Sequence, residues 1–189
     1  MIVDMFGPPG SGKSFLAPQL AAEHKVPQIR LRFGQKYALA LMFFVTQRPL
    51  AMALFRQWDS HTREFPLRRR IKLRRLISFV AKEQKARLKG GGVVDEGIFQ
   101  YLLVLHEAPV VPAQINAILR HMDPADHLVC IVETRRETRI QRMIDRGKVS
   151  RGELGEDYQR KWQAVLAANA DALAALFRKR FRCQTVKND

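Results

Sequence analysis

The sequence predicts an α/β fold, and three features carry that expectation. A short apolar run, Met1–Phe6, ends in Gly7-Pro8-Pro9-Gly10-Ser11-Gly12-Lys13-Ser14 and is followed at once by a helix-like run to His24. A second apolar run, Val93-Val94, ends in the acids Asp95 and Glu96. A third, His127–Glu133, is continuously apolar from Leu128 to Val132, the pattern of an internal parallel strand. Strand-like runs alternating with helix-period runs imply a parallel sheet with helical connections.

Composition sets the bounds. A chain of 189 residues with 47% hydrophobic content and 11 Phe is expected to fold as one domain with a substantial core. Its formal net charge is +15 and is unevenly placed: residues 35–89 hold 14 Lys/Arg against 3 Asp/Glu, a local excess of +11. Such a surface points to an anionic partner. Cys130 and Cys183 lie in apolar runs and are expected to be buried, reduced thiols, as in a cytoplasmic protein. No signal peptide is expected, because the first strand leads directly into the glycine loop.

The first element is a strand over Met1–Phe6, with Asp4 as its one polar residue, expected to make local hydrogen bonds. The loop Gly7–Ser14 is a complete G-x-x-x-x-G-K-[ST] phosphate-binding motif (Walker A). Glycines let successive backbone N–H groups approach a triphosphate with no Cβ in the way, and the following helix adds the positive end of its dipole. Gly7, Pro8, Pro9, Gly10, Ser11, Gly12, Lys13 and Ser14 are therefore the candidate nucleotide-binding residues. Lys13 is placed to meet the β- and γ-phosphates, and the Ser14 hydroxyl to hold Mg²⁺. A helix follows over Lys13–His24; Pro18 lies near its N-terminal end, where a proline costs least.

Val26–Phe33 alternates Ile29, Leu31 and Phe33 with Arg30 and Arg32, which predicts a second, half-exposed strand. Tyr37–Val45 is wholly apolar; Thr46–Pro49 interrupts, and Leu50–Phe55 resumes. Neither run reaches the roughly 18–20 apolar residues that span a bilayer. They predict two buried helices broken near Pro49, or else a surface that meets lipid or a partner protein. Residues 66–89 predict one basic helix, with ten Lys/Arg against Glu83 alone and an apolar stripe of Leu73, Leu76, Ile77 and Val80. Its cations, Lys72 included, are expected on a solvated face or on an anion. Gly90-Gly91-Gly92 ends it.

Asp95 stands at the end of the next strand, where an acid following a phosphate loop holds Mg²⁺ directly or through water. Asp95 and Glu96 are adjacent and point in different directions. One can serve the metal while the other takes a proton from an acceptor hydroxyl, in either assignment. Ile98–Glu107 and Ala113–His121 predict helices separated by Pro109 and Pro112. His106 and His121 stand alone, without metal-ligand spacing, and suit surface or capping roles. After the strand 127–133, Arg135, Arg139, Arg142 and Arg146 recur at three- and four-residue steps, so a helix aligns them on one face. Like charges so aligned repel, and an anion between them relieves the repulsion; a transferring phosphoryl group is such an anion. Residues 148–155 predict a lid loop, residues 156–177 a long amphipathic helix, and residues 178–186 a last strand.

The ordered set of Gly7–Ser14, Asp95-Glu96 and the R-x-x-x-R-G element Arg142–Gly147 resembles the P-loop nucleoside and nucleotide kinases, thymidylate kinases most in pattern. The resemblance implies a three-layer P-loop NTPase fold, with a five-stranded parallel sheet, helices on both faces, a helical acceptor-side insert over about 34–89 and a lid over about 135–155. It implies ATP and Mg²⁺ as cofactors and transfer of the γ-phosphoryl group to a small acceptor. The residues implied to carry this are Lys13, Asp95, Glu96, Arg142 and Arg146, with Ser14 and Asp95 at the metal and Arg142 at the nucleotide.

The chain also departs from that pattern. Asp95-Glu96-Gly97 stands where thymidylate kinases carry an acid–arginine pair, and Lys25–Trp58 contains no Asp or Glu where they place an acceptor-binding acid. The basic insert suits a phosphorylated, acidic or lipid-linked acceptor, with peripheral membrane contact as a further expectation. A second function class is a P-loop ATP-binding module acting as a switch at a membrane or on nucleic acid. No nucleic-acid-binding module or interleaved aromatics appear in the basic run.

Overall fold

In the computed structural model, four parallel strands form one sheet among the described residues, which are 1–32, 34–64, 68–145 and 155–188. Along the chain the elements are β1 (Ile2–Phe6), α1 (Lys13–Glu23), α2 (Gln35–Thr46), α3 (Arg48–Glu64), α4 (Arg69–Leu88), β2 (Gly92–Val94), α5 (Ile98–Leu105) and α6 (Pro112–Leu119). A short 3₁₀ turn (Pro124–Asp126) precedes β3 (His127–Glu133), α7 (Arg136–Asp145), α8 (Glu156–Arg180) and β4 (Arg182–Lys187). The strand order is β2-β1-β3-β4.

The alternation of side chains along each strand explains the layering. Val3 and Met5 of β1 join Leu128, Cys130 and Val132 of β3 on one face, where Leu16, Ala17 and Leu20 of α1 cover them. Phe6, Val129 and Ile131 point to the other face, against α4, α5 and α8. There Phe99 packs edge-on against Phe177 and Phe181, with ring centroids 4.8 and 4.9 Å apart. β1 and β3 are covered on both sides, hence the apolar run of β3 from Leu128 to Val132 and a β1 that is apolar apart from Asp4. β4 lies at an edge, mostly half-exposed, and carries Arg182 and Lys187, as edge strands do.

The sheet has four strands here, not the five expected. Residues 26–32 touch it at a single bridge, Gln28 to Val93. Ile29 N–H donates to Val93 O (2.8 Å) and Val93 N–H donates to Pro27 O (2.9 Å), and the pairing goes no further. The reason lies in the neighbour. β2 is only three residues long, bounded by Gly90-Gly91 and by the bend at Asp95-Glu96, so it offers no longer ladder. The predicted alternation of burial survives without the strand: Ile29 is buried and Leu31 packs partly against the core, while Arg30 and Arg32 are exposed.

Two further expectations fail on the helical side. α2 and α3 meet at a 112° bend at Gln47, two residues before Pro49, but α2 is not a buried helix. Only Ala40 and Phe43 of α2 are buried. In α4, Leu76 and Val80 are buried as predicted, but so is Lys72, 3% exposed, where the pattern predicts a solvated face or a bound anion. Its ammonium lies 2.9 Å from the buried Glu107 carboxylate, and that partner beyond α5 is what draws it inward. The predicted lid over residues 148–155 falls outside the described residues except for Gly155.

Candidate active site

The carboxyl ends of β1, β2 and β3 converge, and β1 stands where the chain crosses from one side of the sheet to the other. In open α/β sheets, that crevice is where ligands bind. The loop after β1 is Gly7–Gly12. Gly10 (φ +83°) and Gly12 (φ +86°) are left-handed, a conformation that costs other residues energy and that turns the chain tightly into α1. At Gly10 there is also no room for a side chain, since a Cβ would sit 2.6 Å from Arg139 O on α7. Among the described residues, the N–H groups of Gly10, Gly12, Lys13 and Ser14 make no hydrogen bond to the protein. Free amides at a helix N-terminus form an anion cradle.

The loop is held from behind. Gly7 N–H donates to Gln100 Oε1 of α5 (3.1 Å). Ser11 O accepts from Thr134 Oγ1 (3.1 Å), just past β3, and from Asn188 Nδ2 (2.8 Å), just past β4. Arg142 Nη1 donates to Asn188 O (3.1 Å), so the α7 arginine is tied to the same clamp beside Gly12. Of the two predicted lid arginines, Arg142 is therefore brought to the loop; Arg146 lies outside the described residues.

Lys13 is buried and folds back along the loop, donating to Gly7 O (2.6 Å), Pro8 O (3.1 Å) and Ser11 Oγ (3.4 Å). Burial lowers its pKa to about 8; the charges of Glu96 and Asp95 work against that shift, and Arg139 adds to it. Ser14 Oγ donates to Asp95 Oδ2 at 3.2 Å, which unites two motifs 81 residues apart. Asp95 Oδ1 accepts from Lys82 Nζ at 2.8 Å. Burial pushes the Asp95 carboxyl up, but the Lys82 ammonium and the Ser14 hydroxyl outweigh it, and the net shift is downward. Glu96, the next residue, is exposed.

Four contributors escaped the sequence. Lys82 looked like one cation among ten, and nothing in its spacing marks it. Gln100, Thr134 and Asn188 act by fixing the loop's backbone, for which short motifs carry no signal. Asp4 was noticed as the lone polar residue of β1, but it is not the locally hydrogen-bonded residue expected. Its carboxyl is fully buried against Gly97 at the start of α5, with the N–H groups of Ile98 and Phe99 nearest and no well-formed hydrogen bond among the described residues. Burial, reinforced by the charge of Glu83, raises its pKa well above the carboxylate range, and the helix N-terminus only partly offsets this.

The histidines also differ from expectation. His106 is buried, its ring 5.0 Å from that of His61, while His121 is half-buried beside Arg120. Both cysteines are free; Cys130 is buried and Cys183 half-buried.

Among the described residues no cluster of three His, Cys, Asp or Glu could hold a metal alone. Ser14 and Asp95 nonetheless present two hard oxygen donors within 3.2 Å, the donor set Mg²⁺ takes when substrate phosphates and water complete its shell.

No protein-family model matches the chain, and no curated protein does. Among solved structures, the chain is similar to deoxyadenosine kinase from M. mycoides with dCMP product and a flexible dCDP bound. That match has 14% identity, 98% of this chain and 90% of that one covered, and a TM-score of 0.48. It is also similar to deoxyadenosine kinase from M. mycoides with bound dCTP, at 14% identity, 99% and 90% coverage and a TM-score of 0.46.

Proposed function

We propose that the chain is a P-loop phosphotransferase that moves the γ-phosphoryl group of ATP to a small anionic acceptor. One observation carries this: Ser14 of the phosphate loop, Asp95 at the end of β2 and Lys82 of the basic helix meet at a single carboxylate.

The cradle N–H groups from Gly10 to Ser14 bind the phosphate chain, and Lys13 swings from the loop carbonyls to the β- and γ-phosphates. Ser14 and Asp95 would hold Mg²⁺, which would supply positive charge against the phosphates. Arg142 adds a cation on the nucleotide side of the loop. Arg146, four residues further along the sequence, has the same role by resemblance. With Asp95 engaged by Ser14 and Lys82, Glu96 is the carboxylate free to take the acceptor's proton. The acceptor oxygen forms a bond to the γ-phosphorus as the bond to the β-bridging oxygen breaks; ADP leaves, and the proton goes to Glu96.

The acceptor side is cationic. Arg74, Ser78 and Lys82 follow at four-residue steps on α4, and Lys36 of α2 lies close enough to Arg74 for burial and that charge to lower its pKa. Phosphorylated acceptors match this charge; a neutral nucleoside leaves it unanswered. Lys82, reaching Asp95 from another element, supplies the cation that the strand-end Asp95-Glu96 lacks in sequence.

The test is ADP release from ATP·Mg²⁺ across nucleosides, nucleoside monophosphates, sugar phosphates and lipid-linked phosphates. An acceptor that stimulates turnover, with Lys13→Ala and Asp95→Asn inactive, supports the assignment. Hydrolysis that no acceptor stimulates would overturn it in favour of a nucleotide-driven switch.

A further inference from the structure

α2 is an apolar helix turned the wrong way round. Its largest exposed side chains are Tyr37 (65% exposed), Leu41 (68%) and Val45 (72%), which stand at four-residue steps and so form one row. Met42 and Ala38 fill the adjacent exposed row. Together the five cover about 140° of the helix circumference, at 3.6 residues per turn, with no charged side chain among them and the Tyr37 hydroxyl as their one polar group. A lone exposed leucine needs no explanation, but a continuous apolar strip does.

Charge frames this strip. Arg32 and Lys36 precede it and Arg48 follows it, and no acid occurs anywhere from Lys25 to Trp58. That arrangement selects the occupant. A two-fold contact through this face would set the flanking cations Lys36 and Arg48 against those of the other copy, on a chain of net charge +15 with no acid from Lys25 to Trp58 to receive them. An anionic lipid surface offers both things the face needs: hydrocarbon for the strip and headgroup charge for its two ends.

We infer that the outer face of α2 docks onto an anionic lipid surface, lying in the plane of the headgroups. Crossing the bilayer is excluded by length. Twelve residues of helix span about 18 Å against a hydrocarbon core of about 30 Å. The chain then turns by 112° into α3, whose apolar side packs into the protein core through Leu50, Ala51, Leu54 and Trp58. Tyr37 at one end of the strip has the apolar body and polar tip that favour the interface. The inference is independent of the phosphotransferase assignment, and its test does not read activity.

The test is co-sedimentation of the full chain with vesicles of phosphatidylcholine alone, or with phosphatidylglycerol added. Binding is expected to the anionic vesicles only, weakening as ionic strength rises. Because a basic chain can adhere to such vesicles through charge alone, the deciding variants are apolar. Leu41→Ser with Val45→Ser should lower partitioning about tenfold, from lost burial of acyl-facing area, while leaving the melting temperature unchanged. Tyr37→Trp should show a blue-shifted emission, over the Trp58 and Trp162 background, that acyl-chain bromines quench. Unchanged binding of the double variant, no Tyr37→Trp shift, or no vesicle binding would each overturn the inference. So would a dimer in equilibrium sedimentation that the same double variant dissolves, which would give the face to a second copy.

Discussion

Lys82 Nζ lies 2.8 Å from Asp95 Oδ1, and this contact joins the basic helix to the acid that ends β2. Both side chains are mostly buried, at 16% and 20% exposed, so solvent screens the pair less than it would a surface ion pair. The pair keeps Asp95 ionised while Ser14 occupies its other oxygen. Lys82→Met should therefore lower kcat by about 10²-fold, the scale of removing one positioned electrostatic group. Lys82→Arg should restore part of it. The acid limb of the pH–rate profile should move to higher pH in Lys82→Met, because Asp95 loses the charge that holds its pKa down. A profile that stays in place would show that Lys82 only packs there.

Lys13 supplies a second pH signature. Its folded pKa of about 8 lies below the ordinary lysine value of 10.5, first because the group is buried. Phosphate binding requires the ammonium form. Nucleotide affinity should thus be constant below pH 8 and fall as pH rises through it, approaching tenfold per unit at the limit. Calorimetric titration from pH 7 to 9.5 reads this directly. Lys13→Arg should bind more weakly at neutral pH yet show no such fall, since guanidinium stays charged. A wild-type affinity flat to pH 9.5 would count against the role of Lys13.

A third effect lies away from the glycine loop. His106 is buried, and burial, followed by the charges of His61 and Lys72, lowers its pKa to about 3. Below pH 6.5 the unfolded chain takes up a proton that the folded chain refuses. Stability is therefore full above pH 6.5 and is lost as pH falls toward 3. From pH 6.5 to 4.5 this one group costs about 2–3 kcal/mol. His106→Leu should flatten that part of the stability curve in urea unfolding at stepped pH, and an unchanged slope would remove His106 as its cause.

The parts legible in the sequence were those fixed by local chemistry. A glycine-rich turn between a strand and a helix is a local pattern, so the loop at Gly7–Gly12 between β1 and α1 was legible. The Leu128–Val132 run could hardly be anything but an internal strand, and β3 covers His127–Glu133 as expected. Tertiary contacts decided the rest. Ile29 and Leu31 alternate as a strand would, but strand pairing needs a partner of matching length, and β2 provides three residues. Lys72 and Lys82 sit in the same basic run as their exposed neighbours. Only the positions of Glu107 and Asp95 in space distinguish them. α2 misled in the opposite direction, because an apolar run signals burial without saying in what medium.

The buried pair of Lys72 and Glu107 yields the last prediction. Both are nearly inaccessible, at 3% and 2%, and the ammonium and carboxylate lie 2.9 Å apart. Tyr158 OH donates to the second carboxylate oxygen (3.0 Å), and Glu107 N–H donates to His61 Nε2 (3.0 Å). The cluster ties α4 to the segment after α5 and to α8, and α4 is the helix that carries Lys82. Removing one charge strands the other in a medium that solvates it poorly. Lys72→Met should therefore cost about 3–5 kcal/mol, as for other broken buried pairs. Neutralising both, with Lys72→Met and Glu107→Gln together, should recover most of that loss, because desolvation of the pair offsets much of its attraction. Urea unfolding of the two single variants and the double closes the cycle. A double variant no more stable than Lys72→Met would mean that the pair contributes net attraction, and that α4 is held in place by charge more than by the packing of Leu76, Phe79 and Val80.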